Sequence, residues 1–336
     1  MATRWGICSA GRISHDFSVA LRTLTPEDHE VTLAVAARNL QHAEEFAKKH
    51  NIPRSYGSYD DLAKDPDIDV IYVGTIHPYH LSTGKLFIKS KKHVLIEKPL
   101  AMNSREVQEL ITAARDNTVF LMEAVWTRFF PASLEMRRLL HQGEVGDVQM
   151  VRAELGHRYS HVPRVTERKL GGGAVLTLGV YCLQLIFMVF NGERPESIQA
   201  TGQFIDTGVD GTTVLVLKFA GNRLAICTFS ITMMLTSDVV IIGTKGTIKV
   251  PQPMWCPTTL EVNGKEMQFP LPEPGMPLNN INSTGLRYEA EEVRHCLLKG
   301  LKESPEMPWS HSSLIAEVVD EARRQLGVTY DQDNIQ

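Results

Sequence analysis

What most limits how this chain can fold is a regular exchange, over its first 120 residues, between short unbroken apolar runs and amphipathic stretches. The runs are Arg4 to Ser9, Val31 to Ala37, Val70 to Gly74, His93 to Glu97 and Thr118 to Met122; the stretches between them include Asn39 to His50, His80 to Ser90 and Ser104 to Asp116. Strands without a polar side must be covered on both faces, and parallel strands joined by helical crossovers achieve that. The spacing therefore predicts an α/β doubly wound parallel sheet, with Ser104 as a candidate cap for the helix after it.

Past Phe130 the texture changes. Helical patterns surround 133 to 142 and 174 to 190. Alternating runs then follow at Ser197 to Ile205, Thr212 to Phe219, Arg223 to Thr232, Val239 to Ile242, Thr247 to Val250 and Thr259 to Val262, punctuated by turn residues such as Gly243-Thr244-Lys245-Gly246 and Asn263-Gly264. Strands linked by tight turns predict a second, α+β domain with a large open, mostly antiparallel sheet. The expected division is 1–125 and 126–336. Pro270 to Ser283, rich in Pro, Gly and Asn, reads as a surface loop before a helix at Arg287 to Lys299.

Composition narrows the class of partner. Lys plus Arg number 35 against 39 Asp plus Glu, a net charge of −4 that gives no electrostatic footprint for nucleic acid or acidic lipid. A small molecule is the expected partner. The most apolar stretch, Gly171 to Phe190, is interrupted by Gly, Thr, Tyr and Gln, so no membrane span is expected. Five scattered cysteines with no CxxC pair predict free thiols and no metal site. With no leader-like apolar stretch at its start, the chain is expected to be cytoplasmic.

The first strand runs into Gly6-Ile7-Cys8-Ser9-Ala10-Gly11-Arg12-Ile13-Ser14. Laid on the Rossmann fingerprint GxGxxG, Ser9 takes the first glycine position, Gly11 the second and Ser14 the third. The surviving glycine is the one that lets backbone approach a pyrophosphate resting on a helix N-terminus. Arg38 follows the second strand, where an acidic residue would suit NAD; a guanidinium there can pair with a 2′-phosphate, which points to NADP.

His93 to Met102 forms an apolar strand ending in Glu97-Lys98-Pro99, charges placed at a carboxyl edge where such sheets bind ligands. With Thr75, His77 and His80 at the preceding strand end, this order of elements resembles the glucose-fructose oxidoreductase / inositol dehydrogenase / MocA family. Tyr56-Gly57-Ser58-Tyr59, the run Leu121 to Ala132, His161-Val162-Pro163-Arg164, Gly179-Val180-Tyr181-Cys182 and Trp255-Cys256-Pro257 extend the resemblance over nearly the whole chain.

The resemblance implies a catalytic pair, Lys98 and Tyr181. It implies cofactor contacts from Ser9, Gly11, Arg12, Ile13, Arg38, Thr75, His77, His80, Glu97, Lys98, Trp126 and Arg128, and substrate contacts from Tyr181, Thr177 and Phe129. A Tyr beside an ammonium has its phenolate stabilised and can take the hydroxyl proton when hydride leaves a carbinol carbon. The activity implied is NADP-dependent oxidation of a vicinal cyclohexadiene diol or of an aldose such as D-xylose, in a homodimer. Family members usually read Gly-Gly-x-Leu-x-Asp-x-Gly-x-His/Tyr; here Thr177 stands where the Asp belongs, and Glu167-Arg168 stands where a number of more distant relatives show Asp-Trp. Thr cannot ionise, so the alternative expectation is an NADP-binding sensor or scaffold of the same fold with weakened catalysis.

Overall fold

The computed structural model describes the backbone of residues 2–334, and their side chains except at 30–32. The chain forms two compact units. The first comprises the residues up to Leu100, Arg105–Phe129 and Leu271–Trp309; the second comprises Ala101–Ser104, Phe130–Pro270 and the residues from Ser310 onward.

In the first unit six strands, β1 (Thr3–Cys8), β2 (His29–Ala36), β3 (Arg54–Tyr56), β4 (Val70–Val73), β5 (His93–Glu97) and β6 (Leu121–Ala124), form one sheet in the order β3-β2-β1-β4-β5-β6. Every pairing is parallel. The crossovers are α1 (Arg12–Leu21), α2 (Leu40–Lys49), α3 (Tyr59–Lys64), α4 (His80–Lys89) and α5 (Ser104–Asn117). β4 and β6 are buried at every residue, as a sheet covered on both faces requires. Phe17 of α1 stacks on Tyr72 of β4 with ring centroids 3.8 Å apart and meets Trp5 of β1 edge-on at 5.3 Å.

The expected doubly wound sheet is present, with three local corrections. β3 has only three half-buried residues, Arg-Ser-Tyr, and so carries no apolar run to announce it. β6 begins at Leu121 rather than Thr118, because Thr118 adopts a left-handed backbone (φ +57°) that turns the chain after α5. α5 starts with Ser104 itself, whose amide donates to Asp320 at 2.8 Å.

The second unit holds α6 (Pro131–His141), β7 (Val148–Gly156), the short α7 (Pro163–Thr166), α8 (Val180–Val189) and strands β8 (Ser197–Phe204), β9 (Asp210–Phe219), β10 (Arg223–Ser230), β11 (Val239–Gly243), β12 (Thr247–Val250), β13 (Thr259–Val262) and β14 (Lys265–Gln268). The eight strands run in the order β14-β13-β12-β11-β7-β10-β9-β8, and all pair antiparallel except β7 with β10. β9 alternates buried with half-exposed residues, so one face of the sheet carries the core. The apolar helical stretch is a core element: 89% of its most apolar 18 residues is buried within the protein.

After β14 the chain returns to the first unit with α9 (Leu286–Leu298), before α10 (Trp309–Leu326). The returning segment covers the edge of the first sheet. Leu121 of β6 donates its amide to Lys302 O at 3.1 Å, and its carbonyl accepts from Trp309 Nε1 at 2.8 Å. The 270–283 stretch, expected as a surface loop, is latched along one side: buried Asp16 of α1 accepts from the amides and side chains of Asn279 and Asn280 at 2.7–3.1 Å.

Candidate functional site

The expected site residues of the first unit line the carboxyl edge of its sheet in strand order. Arg38 follows β2; Ser9, Gly11, Arg12 and Ile13 follow β1; Thr75, His77 and His80 follow β4; Glu97 and Lys98 end β5; Trp126, Arg128 and Phe129 follow β6. A dinucleotide lies along this edge in folds of this order, with its pyrophosphate where the order reverses between β1 and β4.

The turn at that point is built by three residues. Ser9 has φ +91°, the left-handed backbone that glycine adopts freely, so the chain keeps the fingerprint's first bend without its glycine. Gly11 precedes α1 with extended backbone, and a Cβ there would touch only Ser9 Oγ at 3.3 Å and Gly74 O at 3.9 Å. Among the described residues beyond its chain neighbours nothing else comes within 4 Å of that position, so a phosphate can approach the backbone. Ser14 occupies the third position, where helix must pack closely on strand. It fits because the facing residue is Gly74: a Cβ on Gly74 would lie 2.4 Å from Ser14 Oγ. The glycine that permits close packing has thus moved from the helix to the strand end.

A dinucleotide suits this surface on physical grounds. The first amides of α1 have no intrahelical acceptors and face the Gly11 turn. Thr75 Oγ1, sealed from solvent, makes no hydrogen bond among the described residues, as expected of a group whose partner is a ligand. Arg38 is exposed, with its guanidinium 5.6 Å from the Tyr79 ring centroid. It borders a pocket of about 370 Å³ lined also by Gly57, Ser58, Tyr59, Ser82 and Thr83. Tyr79 went unmarked as a site residue in the sequence, although it lies between His77 and His80; its 44% exposure beside a cation singles it out.

Further along the edge the side chains brace one another. Tyr72 donates its hydroxyl to Glu97 Oε1 at 2.6 Å, and the Lys98 amide donates to Glu97 Oε2 at 3.3 Å; the Lys98–Pro99 peptide is cis. His77 is buried at the start of a short turn, His77–Tyr79. His80 is fully buried, with Nδ1 2.8 Å from Pro99 O and Nε2 2.9 Å from Thr75 O. Burial lowers its pKa while the two carbonyls pull the other way, and the ring sits between the residues that follow β4 and β5. Trp126, Arg128 and Phe129 are all at most 5% exposed, and Arg128 donates to Glu306 O at 2.8 Å. His80 and these three are thus set within the protein around the edge, while Gly11, Arg38, Thr75 and Lys98 lie at its more open positions.

In the second unit Thr177 and Tyr181 occupy one buried helical stretch, 3% and 9% exposed. The expected single helix over 174 to 190 is divided: Val175–Gly179 is a π turn, and α8 continues from Val180. Such widened turns gather at functional sites. Among the described residues no cluster of three or more His, Cys, Asp or Glu is gathered to hold a metal.

Comparison with known proteins agrees with this geometry. Residues 3–125 match the model of an oxidoreductase family with an NAD-binding Rossmann fold, and residues 133–249 match the GFO/IDH/MocA C-terminal domain. A trans-1,2-dihydrobenzene-1,2-diol dehydrogenase of Danio rerio is 64% identical over 334 residues, covering 99% of this chain and all of that protein; the one of Homo sapiens is 48% identical, covering 99% of each. Among solved structures, a levoglucosan dehydrogenase in complex with NADH and levoglucosan superposes with a TM-score of 0.83 at 18% identity, covering 97% of this chain and 98% of that one. A 3-ketoreductase from Actinomadura kijaniata holding NADP and TDP-benzene gives 0.79 at 21%, with the same coverage.

Proposed function

The chain belongs to the Gfo/Idh/MocA family of oxidoreductases and is a nicotinamide-dinucleotide dehydrogenase of the dihydrodiol type, and from that premise we propose that it oxidises a trans-1,2-dihydrodiol, or an aldose such as D-xylose, with NADP. The observation that carries the reading is the row of Arg38, Gly11, Thr75 and Lys98 along one carboxyl edge, where a cation follows β2 and a lysine ends β5. The first unit is the nucleotide-binding part, and the second carries the substrate-binding helix and the subunit interface.

A bound nicotinamide would supply the hydride acceptor for oxidation of the carbinol carbon. The amides of α1 and the open face of Gly11 would hold the pyrophosphate, and Arg38, over the Tyr79 ring, would pair with the 2′-phosphate. Tyr181 accepts the substrate hydroxyl proton as phenolate, and the Lys98 ammonium favours that ionised form. Oxidation breaks the carbinol C–H and O–H bonds: the hydride would go to the bound cofactor, the proton goes to Tyr181, and a ketone or lactone remains. Thr177, one turn before Tyr181, faces the substrate with a neutral hydroxyl.

Two further features support parts of this reading. Leu224 of β10 and Ile242 of β11 pair with Met150 of β7 on either side, an apolar row across three strands on the open face of the sheet that suits a second copy of the chain. All five cysteines are buried free thiols, in keeping with a reducing, cytosolic setting. The decisive assay is steady-state reduction of NADP⁺ and of NAD⁺ by a trans-dihydrodiol and by D-xylose. Turnover with NADP⁺ and either substrate is expected; saturable NADPH binding with no turnover of any of them would favour the sensor alternative.

A further inference from the structure

The helical stretch carrying Thr177 and Tyr181 starts in a segment that cannot cap it. Gly171-Gly172-Gly173-Ala174-Val175 contains no Ser, Thr, Asp or Asn, and no side chain of the flanking residue bonds the first amides. A helix start buried in a protein core leaves amides that must find acceptors. The acceptor here comes from 35 residues further along the chain: Val175 N donates to Asp210 Oδ2 at 2.8 Å, and Thr213 Oγ1 donates to the same oxygen at 3.0 Å.

Asp210 is the first residue of β9 and only 1% exposed. On the other side of the glycines, Tyr330 donates its hydroxyl to Gly172 O. Between the two, Gly173 adopts φ +116°, and a Cβ there would lie 2.5 Å from Asp210 Oδ1 and 2.9 Å from the Tyr330 hydroxyl. The most flexible residues of the stretch are therefore held by a carboxylate on one flank and a phenol on the other.

We propose that Asp210 is a positioning residue for catalysis: its carboxylate fixes the turn from which the π segment and α8 are launched, and so sets the aim of Tyr181. The inference rests on the assignment of Tyr181 as the proton acceptor. The negative charge suits a helix N-terminus. It also works against stability. Burial raises the Asp210 pKa to about 6, with the Val175 and Thr213 hydrogen bonds pulling the other way. A carboxyl whose folded pKa lies above its unfolded value stabilises the fold in its protonated form, and that contribution is lost as pH rises toward about 6. At neutral pH the charge is thus kept at a cost to the fold, as is common for groups that serve function. The ionisable group facing Asp210 is Tyr330, itself flanked by Arg323 over its ring at 5.1 Å, by Asp333, which accepts the Tyr330 amide, and by Arg168.

The test is Asp210→Asn, the neutral isostere, in the full-length protein. Thermal unfolding at pH 7.5 is expected to be unchanged or raised, and the Kd for NADPH to stay within twofold. The kcat is expected to fall about tenfold; the wild-type kcat profile is expected to show an acidic limb near pH 6, where Asp210 is protonated, and Asp210→Asn to lack it, and a wild-type profile without that limb overturns the inference as well. A folded Asp210→Asn protein with wild-type kcat, or one that keeps the same limb, overturns the inference. If that variant does not fold, Thr213→Val decides: losing a donor to the ionised carboxylate moves the limb to higher pH, and an unmoved limb overturns the proposal. Tyr181→Phe is measured alongside. Full turnover in Tyr181→Phe defeats the assignment of Tyr181 itself, whereas an inactive Tyr181→Phe with a fully active Asp210→Asn defeats only the role of Asp210.

Discussion

Replacing Gly74 by Ala tests how the nucleotide turn is assembled. The added Cβ would lie 2.4 Å from Ser14 Oγ, 3.1 Å from Tyr72 Cε1 and 3.4 Å from Ile13 Cγ2, so the N-terminal turn of α1 must shift away from the end of β4. Overpacking of this kind costs about 1–3 kcal/mol. Because the worst contact is with one hydroxyl oxygen, its removal should relieve most of the strain. Ser14 Oγ is buried with no hydrogen-bond partner among the described residues, so Ser14→Ala alone is expected to be neutral or stabilising: an unsatisfied group goes and a better helix former arrives. Gly74→Ala combined with Ser14→Ala should then recover at least about 1 kcal/mol relative to the sum of the single changes, which is the signature of two residues in direct contact. Urea unfolding of the four proteins gives the cycle, and NADPH titration followed by protein fluorescence gives a parallel reading. Gly74→Ala is expected to weaken NADPH binding about tenfold or more, with partial recovery in the double variant. Additivity of the two changes within about 0.5 kcal/mol would refute this account of helix-to-strand packing.

Three other outcomes are expected. Arg38→Glu should reverse the preference of NADPH over NADH, since a charge-assisted contact to the 2′-phosphate contributes about 1.5–3 kcal/mol; equal dissociation constants for the two cofactors in the unaltered protein would end the argument. Lys98→Met and Tyr181→Phe should each lower kcat about a hundredfold or more with NADPH affinity nearly intact, and near-full turnover in either would remove that residue from the chemical step. Thr177→Asp is expected to raise kcat/KM for D-xylose or the dihydrodiol, because an oriented charged hydrogen bond in a dry site is worth about 2–4 kcal/mol in the transition state; no change, or loss of turnover, would place Thr177 in a differently tuned working site.

The parts of the fold readable from sequence are those with a strong local period. The apolar runs announced the parallel sheet, and the Gly11 turn and Arg38 stand where their spacing put them. What escaped depends on residues distant in the chain. β7 pairs with β10 and β11 at the centre of the second sheet, yet Val-Gln-Met-Val-Arg-Ala-Glu-Leu-Gly is half polar and precedes the run of hairpins by some 40 residues. β3 is too short to show a period. Ser9 carries no outward sign that it will take a glycine's backbone, because the bend is imposed by β1 and α1 around it. The bracing role of His80 needs two carbonyls on different loops, and that of Asp210 needs a helix start 35 residues earlier. A sequence shows a donor or an acceptor; only the tertiary path shows which partner it meets.

The return of residues 271–309 to the first unit bears on how the chain comes to be folded during synthesis. The exposed edge of β6 is closed at Leu121 by Lys302 and Trp309, which are translated after an intervening excursion of about 140 residues. At about 5–20 residues per second that wait lasts on the order of ten to thirty seconds, during which the leading sheet has an open strand edge and lacks α9 against its core. The first half of this chain is therefore a nascent species that needs protection from other unfinished chains. A ribosome-stalled fragment ending near residue 200 should be sensitive to protease and prone to associate, and protection of β6 should arrive only once Trp309 of the nascent chain has cleared the exit tunnel.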